Sequence, residues 1–255
     1  MKVFITGASS GIGQALARHY ASLGTTLGLA ARRGELLQDL ADSLDTSVAT
    51  YALDVRNADA LEQAAQDFIR RFGPPDIVIA NAGVSRGTLT ELKQDNTAFQ
   101  AIMDINVIGM VNTFQPFIAA MRDAGSGSLV GITSVAGVRG LPGAGAYSAS
   151  KAAAASYLES LRIEMAAYGI HVTTIAPGYI RTPMTDVNTY QMPFLMDADV
   201  AALKMSKAIS NKRRFVVIPW QMGWVARFMR LIPPFLWDWA IKNAPKKAHL
   251  DWDWL

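Results

Sequence analysis

The sequence predicts an α/β fold built on a doubly wound parallel sheet, and three observations carry that expectation. Short apolar runs alternate with helix-like stretches through most of the chain. A glycine-rich turn joins the first apolar run to the first helix-like stretch. The chain has 255 residues, 51% of them apolar, which is ample for one large core. Alternation of this kind implies a sheet covered by helices on both faces. The crossovers then close right-handed, and ligands bind beyond the carboxyl ends of the strands.

Val3–Thr6, Thr26–Ala31, Val48–Ala52, Asp76–Ala80, Ser128–Thr133 and Val172–Ala176 read as buried parallel strands. Ile12–Leu23, Glu35–Leu44, Ala58–Phe72, Thr97–Met121 and Tyr147–Tyr168 read as helices between them. Phe215–Pro219 reads as a final strand. Residues 1–219 are expected to form one catalytic domain, and residues 220–255 an aromatic-rich helical extension of it.

Composition removes several function classes. With 24 basic and 21 acidic residues the net charge is only +3, which calls for no nucleic-acid partner. The chain has no cysteine, so disulfides, thiolate metal sites and a cysteine nucleophile are excluded. His19, His171 and His249 have no ligand spacing, and no metal site is expected. The stretch Ala101–Met121 is apolar but carries Asp104, Asn106, Asn112 and Gln115, so it reads as a buried helix rather than a membrane span. The run Lys2–Thr6 begins at once and leaves no room for a signal peptide, and a cytoplasmic location is the expectation.

The first strand runs into Thr6-Gly7-Ala8-Ser9-Ser10-Gly11-Ile12-Gly13. Gly7 permits a tight turn, Gly11 lets backbone approach a pyrophosphate, and Gly13 lets the helix sit close to the sheet. The helix start offers N–H groups and a positive dipole end to an anion, and Ser9 and Ser10 add hydroxyls. The second strand ends in Arg32-Arg33, where a dinucleotide site that prefers NAD usually carries an acid. Two guanidinium forks suit a 2′-phosphate, so NADP(H) is the expected cofactor. Asp54-Val55 follows the third strand, where the aspartate either accepts from an adenine amino group or caps a turn. Asn81-Ala82-Gly83 ends the fourth strand, and Asn106 is a polar amide among isoleucines that must find partners.

The stretch from Ser134 to Lys151 carries the chemistry. Tyr147 and Lys151 are four residues apart at the start of an alanine-rich helix, so they share a face. An ammonium beside a phenol favours the phenolate, and a tyrosine so tuned exchanges a proton with a substrate oxygen.

In this order and context, Thr6-Gly7-x-x-x-Gly11-x-Gly13, Asp54, Asn81-Ala82-Gly83, Asn106, Ser134, Tyr147-x-x-x-Lys151 and Pro177-Gly178 resemble the short-chain dehydrogenase/reductase family, of the simple single-domain type with a Rossmann-like fold. The resemblance covers most of the chain before the extension. It implies a catalytic tetrad of Asn106, Ser134, Tyr147 and Lys151. It also implies that the Asn81 stretch supports the sheet and that Pro177-Gly178, with Ile180 and Thr182, contacts the nicotinamide amide. Lys151 would hold the nicotinamide ribose and Asn106 a water leading to solvent. The family places its substrate cover at Arg181–Asp199, which here holds Met184, Tyr190, Met192, Phe194 and Met196 and suggests an apolar carbonyl or alcohol substrate. The rival functions are a sensor that binds NADP(H) without turnover and an NAD-dependent alcohol dehydrogenase. A homodimer or homotetramer, pairing through Thr97–Met121 and Tyr147–Tyr168, is expected by resemblance.

All six tryptophans fall in the extension: Trp220, Trp224, Trp237, Trp239, Trp252 and Trp254. Trp224, Phe228 and Leu231 recur at helical spacing, Pro233-Pro234 breaks the run, and Phe235, Leu236 and Trp239 begin a second apolar face. Two expectations stand side by side: peripheral contact with a membrane, or packing on the core, the cleft or another subunit.

Overall fold

The computed structural model describes residues 1–242. The part of the predicted extension from 243 to 255, with Trp252 and Trp254, lies outside the described residues. Seven strands form one parallel sheet: β1 (Lys2–Thr6), β2 (Thr26–Ala31), β3 (Val48–Ala52), β4 (Ile77–Ala80), β5 (Gly127–Ile132), β6 (Ile170–Pro177) and β9 (Phe215–Ile218), in the order β3-β2-β1-β4-β5-β6-β9. β1 pairs with β2 on one side and β4 on the other. The winding reverses there, and a crevice opens at the carboxyl ends of β1 and β4.

Successive residues of β1 explain why the sheet is buried on both faces. Val3 and Ile5 point into a core with Leu16, Leu27, Leu29 and Met205. Phe4 points the other way, into a core with Phe68, Phe114, Phe117 and Leu158. Helices α1 (Gly11–Ala21), α2 (Gly34–Asp42) and α8 (Ala198–Ser210) supply residues to the first core, and α3 (Ala58–Phe72), α5 (Gly109–Asp123) and α6 (Gly145–Ala166) to the second. The doubly wound expectation holds, with strand bounds within a residue or two of those expected.

The predicted single helix Thr97–Met121 needs correction. It is α4 (Asp95–Met103), a π-helical turn (Asp104–Ile108) and α5. Gly109 lies where a side chain would fall 2.5 Å from Val55 Cγ2, and Asn112 Nδ2 donates to the Val55 carbonyl at 3.0 Å. The wide turn holds the buried Asn106 in the middle of an otherwise continuous helical run.

Beyond β6, short strands β7 (Ile180–Arg181) and β8 (Met196–Asp197) pair in parallel and enclose α7 (Pro183–Asp186). α8 then covers the sheet beside α1, a helix the sequence reading left unassigned. The extension forms α9 (Trp220–Leu231) and α10 (Pro234–Ile241), broken at the two prolines as expected.

Candidate active site

A cleft of about 490 Å³ opens along the carboxyl ends of the strands. At one end lies the glycine-rich turn. Gly7 has φ +67° and Gly11 φ +58°, a region that favours glycine. A side chain at Gly7 would fall 2.7 Å from Ala82 Cα. Asn81 Nδ2 donates to the Thr6 and Gly7 carbonyls, each at 3.1 Å, and so ties the end of β4 to the turn. Among the described residues, no side chain caps the start of α1 and no acid lies in its first turn. Its N–H groups suit an anion, which is the chemistry a pyrophosphate needs.

Arg33 Nη2 donates to Ser9 Oγ at 3.0 Å and to Ser10 Oγ at 2.7 Å, so β2 and the turn share one polar cluster. Arg32 Nη1 stands 4.0 Å from Asp54 Oδ2. Asp54 lines the cleft and is also bonded within its own turn. It accepts from the Arg56 backbone at 2.9 Å and from Arg56 Nε and Nη2 at 3.1 and 2.8 Å. Burial raises its pKa, and the hydrogen bonds and charge of Arg56 more than offset this, leaving the carboxyl below its usual value.

At the other end of the cleft stand Ser134, Tyr147 and Lys151. Ser134 caps a 3₁₀ turn, Val135–Gly137, accepting from the Ala136 backbone at 3.1 Å. That turn lies so close to α6 that a side chain on Gly137 would fall 2.7 Å from the Lys151 carbonyl carbon. Lys151 is 4% exposed, donates to the Ile132 carbonyl at 3.0 Å, and sits 5.8 Å from the Tyr147 ring centre. Burial lowers its pKa to about 8.

The expected depression of the tyrosine pKa is not present in the chain alone. Burial raises the Tyr147 pKa above its ordinary value, and a hydrogen bond with Ser134 opposes the rise. Burial of the phenol outweighs that hydrogen bond, and the Lys151 ammonium stands 5.8 Å from the ring centre.

Asn106 and Gly13 do not line the cleft. Asn106 is fully buried; it accepts from Val84 N at 2.8 Å and donates to the Val84 carbonyl and to Ser150 Oγ at 3.0 and 2.9 Å. It nonetheless meets Lys151 across Gly83, whose missing side chain would lie 3.1 Å from Asn106 Oδ1 and 3.3 Å from Lys151 Nζ. Gly13 brings α1 onto the turn, since a side chain there would fall 2.3 Å from the Gly7 carbonyl oxygen. Ile12, Val55, Pro177, Gly178, Ile180 and Thr182 line the cleft.

Residues the sequence reading missed also line it, among them Arg86, Ile105 and Thr133. Thr133 and Ile105 adjoin residues already singled out; Arg86 carried no motif. Tyr190, from the segment expected to cover the substrate, packs its ring 6.3 Å from that of Tyr179. Burial raises its pKa, with Tyr179 and Tyr147 adding to the rise.

Residues 1–192 match the profile of the family described as short chain dehydrogenase. An uncharacterized oxidoreductase of Myxococcus xanthus is 37% identical over 242 residues, covering 94% of this chain and 95% of that protein. An 11-beta-hydroxysteroid dehydrogenase 1A of Arabidopsis thaliana is 32% identical over 263 residues, covering 94% of this chain and 74% of the other. The structure of an alcohol dehydrogenase from Thermococcus sibiricus, complexed with 5-hydroxy-NADP, superimposes with a TM-score of 0.74 at 27% identity, covering 86% of this chain and 96% of that one.

Proposed function

The chain belongs to the short chain dehydrogenase family of oxidoreductases, and we propose that it is an NADP(H)-dependent member acting on an apolar ketone, aldehyde or secondary alcohol. One observation carries this reading: a single cleft holds Ser134, Tyr147 and Lys151 at one end and Arg32, Arg33 and the glycine-rich turn at the other. The donor set fits a phosphorylated dinucleotide. The turn and the start of α1 would hold its pyrophosphate, Arg32 and Arg33 its 2′-phosphate, and Pro177-Gly178 with Ile180 and Thr182 the nicotinamide amide. Bound there, NADPH supplies a hydride to a carbonyl carbon.

The chain's own groups do the rest. Ser134 Oγ and Tyr147 Oη donate hydrogen bonds to the carbonyl oxygen, where negative charge develops. Tyr147 gives that oxygen its proton as general acid, and takes one as general base in the oxidative direction. A tyrosine with the ordinary pKa of about 10 is protonated near neutral pH, so Tyr147 can serve as the acid. Lys151 lies in the same wall, where it would hold the nicotinamide ribose; Asn106, buried behind Gly83 from Lys151, would hold a water between Lys151 and solvent.

Methionines and tyrosines in the cover segment, together with the steroid-directed name of the Arabidopsis relative, favour an apolar substrate. The exposed small residues Ala152 and Ser156 on α6 leave a low face for a second α6, and a homodimer or homotetramer belongs to this proposal. So do a cytoplasmic location and a peripheral membrane contact through the extension.

The test is a panel of ketones and aldehydes followed by loss of NADPH absorbance, with NADH in parallel. Turnover with NADPH on apolar members is the expected result. Equal turnover with both cofactors refutes the NADP(H) assignment. Binding of NADPH without turnover on any member of the panel favours the sensor.

A further inference from the structure

The extension is anchored on one side and bare on the other. On its inner side α9 buries Met222 and Ala226 against Val135, beside the half-buried Val138 and Val225. Met222 Cγ lies where a side chain on Gly178 would fall, at 2.6 Å. Arg139, in the loop between Ser134 and Tyr147, donates through Nη1 to the Met229 carbonyl at 2.7 Å and to the Ile232 carbonyl. Its guanidinium also stacks 4.8 Å from the Trp237 ring centre. The helical pair is therefore fastened directly behind the wall that holds the catalytic side chains.

The outer side is an apolar plate. Trp220, Trp224, Phe228 and Leu231 recur every three or four residues along α9, and Phe235, Leu236 and Trp239 continue on α10. These seven side chains are between 46% and 77% exposed. Scattered exposed apolar residues need no explanation, but a contiguous aromatic plate does. Every residue of α10 is exposed or half-buried, although Asp238 is its one charged residue. A helix of that composition is ordinarily covered by something.

Charge decides what covers it. Between residues 204 and 242 eight basic side chains stand against one acid, Asp238. Arg227 and Arg230 are exposed on α9 itself, Arg227 lying 5.7 Å from the Trp224 ring centre. Lys212, Arg213 and Arg214 precede β9, and Lys242 follows α10. A second copy of this chain would set that basic set against itself. An anionic bilayer meets it with opposite charge, while tryptophan and phenylalanine sit at headgroup depth. No helix among the described residues is long and apolar enough to cross a membrane. At about 1.5 Å per residue, the 12 residues of α9 fall well short of a bilayer core about 30 Å thick.

We infer that α9 and α10 lie flat on an anionic lipid surface through Trp220, Trp224, Phe228, Leu231, Phe235 and Trp239, with Arg227 and Arg230 on the headgroups. Because α9 packs on Gly178 and Val135, docking brings the wall of the cleft close to the lipid. An apolar substrate then reaches the site from the bilayer, which in this last step rests on the function proposed above; the docking itself does not.

The test uses the full chain and vesicles of phosphatidylcholine with phosphatidylglycerol, against vesicles of phosphatidylcholine alone, read by co-sedimentation and by light scattering. Wild type is expected to partition at least about tenfold more strongly onto the anionic vesicles, and to lose that preference as added salt shortens the Debye length to about 3 Å. The triple variant Trp220→Ser, Trp224→Ser, Phe228→Ser changes only exposed side chains and should bind at least about tenfold more weakly. Arg227→Glu with Arg230→Glu should abolish the preference for anionic vesicles. Both variants should turn over NADPH with a water-soluble carbonyl as wild type does. Full-length protein that stays in the supernatant at low salt overturns the inference. A mass that halves in the triple variant would then assign the plate to a second copy; an unchanged mass would leave residues 243–255 or another partner as its cover. Absent carbonyl turnover with intact vesicle binding defeats the proposed reaction and leaves the docking standing.

Discussion

Replacing Lys151 by methionine should make the protein more stable near neutral pH relative to its stability at high pH. Lys151 Nζ is buried and donates to the Ile132 carbonyl at 3.0 Å, and burial lowers its pKa from 10.5 to about 8. The unfolded chain therefore takes up this proton near pH 10.5 and the folded chain only near pH 8. Between those values the unfolded state holds more protons, so wild-type stability rises with pH through this window. Below about pH 8 both states are charged, and the whole cost of burying the ammonium is present. Each tenfold change in proton affinity is about 1.36 kcal/mol, so the window from 10.5 to about 8 is worth about 3 kcal/mol. Lys151→Met keeps the length of the side chain and removes the charge. The lost hydrogen bond to Ile132 costs about 1 kcal/mol at every pH and does not alter the slope. The stability of the variant minus that of wild type should thus fall by about 3 kcal/mol between about pH 7.5 and about pH 10.5. Urea unfolding at the two pH values measures it, because every other titration is shared by the two proteins and cancels. A difference constant with pH to within about 0.5 kcal/mol would show that Lys151 is not held in a desolvated site.

Tyr147→Phe removes a hydroxyl at the cleft and should lower kcat at least about a hundredfold while NADPH affinity stays within a few-fold; near-normal turnover would remove Tyr147 as the acid. Replacing Arg32 and Arg33 together by alanine should raise KM for NADPH roughly ten- to a hundredfold, at about 1.5–3 kcal/mol per charge-assisted contact, and leave KM for NADH much less changed. Equal losses with both cofactors would sink the 2′-phosphate reading. Gly137→Ala forces a methyl within 2.7 Å of the Lys151 backbone and should destabilise the fold by about 1–3 kcal/mol, with a loss of kcat as Ser134 moves away from Tyr147. Unchanged thermal unfolding would mean that the 3₁₀ turn yields easily. Light scattering at micromolar concentration should return at least twice the chain mass, and a monomer would count against pairing through α5 and α6.

The strands were legible because central parallel strands are apolar on both faces, and Val3–Thr6 or Ile77–Ala80 reads as an unbroken run. The glycine-rich turn was legible because only glycine tolerates the backbone at Gly7 and Gly11. The break inside Thr97–Met121 was not, since the apolar run Ile102, Ile105, Val107, Ile108 continues straight through the π-helical turn. That turn depends on Val55 and Val84, both far away in sequence. Spacing put Tyr147 and Lys151 on one face, but the sign of the tyrosine shift depended on burial by the surrounding fold. Arg33 looked like a ligand for a phosphate alone; its bonds to Ser9 and Ser10 join segments more than twenty residues apart and leave no local signal.

Arg139 changes how the extension should be regarded. A loop that carries Ser134 on one flank and Tyr147 on the other has every reason to move, since Gly137, Gly140, Gly143 and Gly145 lie within it. It is held from two sides. Gly137 lets its first turn sit against α6, and Arg139 fixes its middle to the carboxyl end of α9, where unpaired carbonyls and the helix dipole favour a cation. Val135 and Val138 complete the contact with Val225 and Ala226. The same helix presses Met222 on Gly178, which lies across the cleft mouth in the segment after β6. α9 therefore braces both walls of the cleft, the one with Ser134 and the one with Gly178.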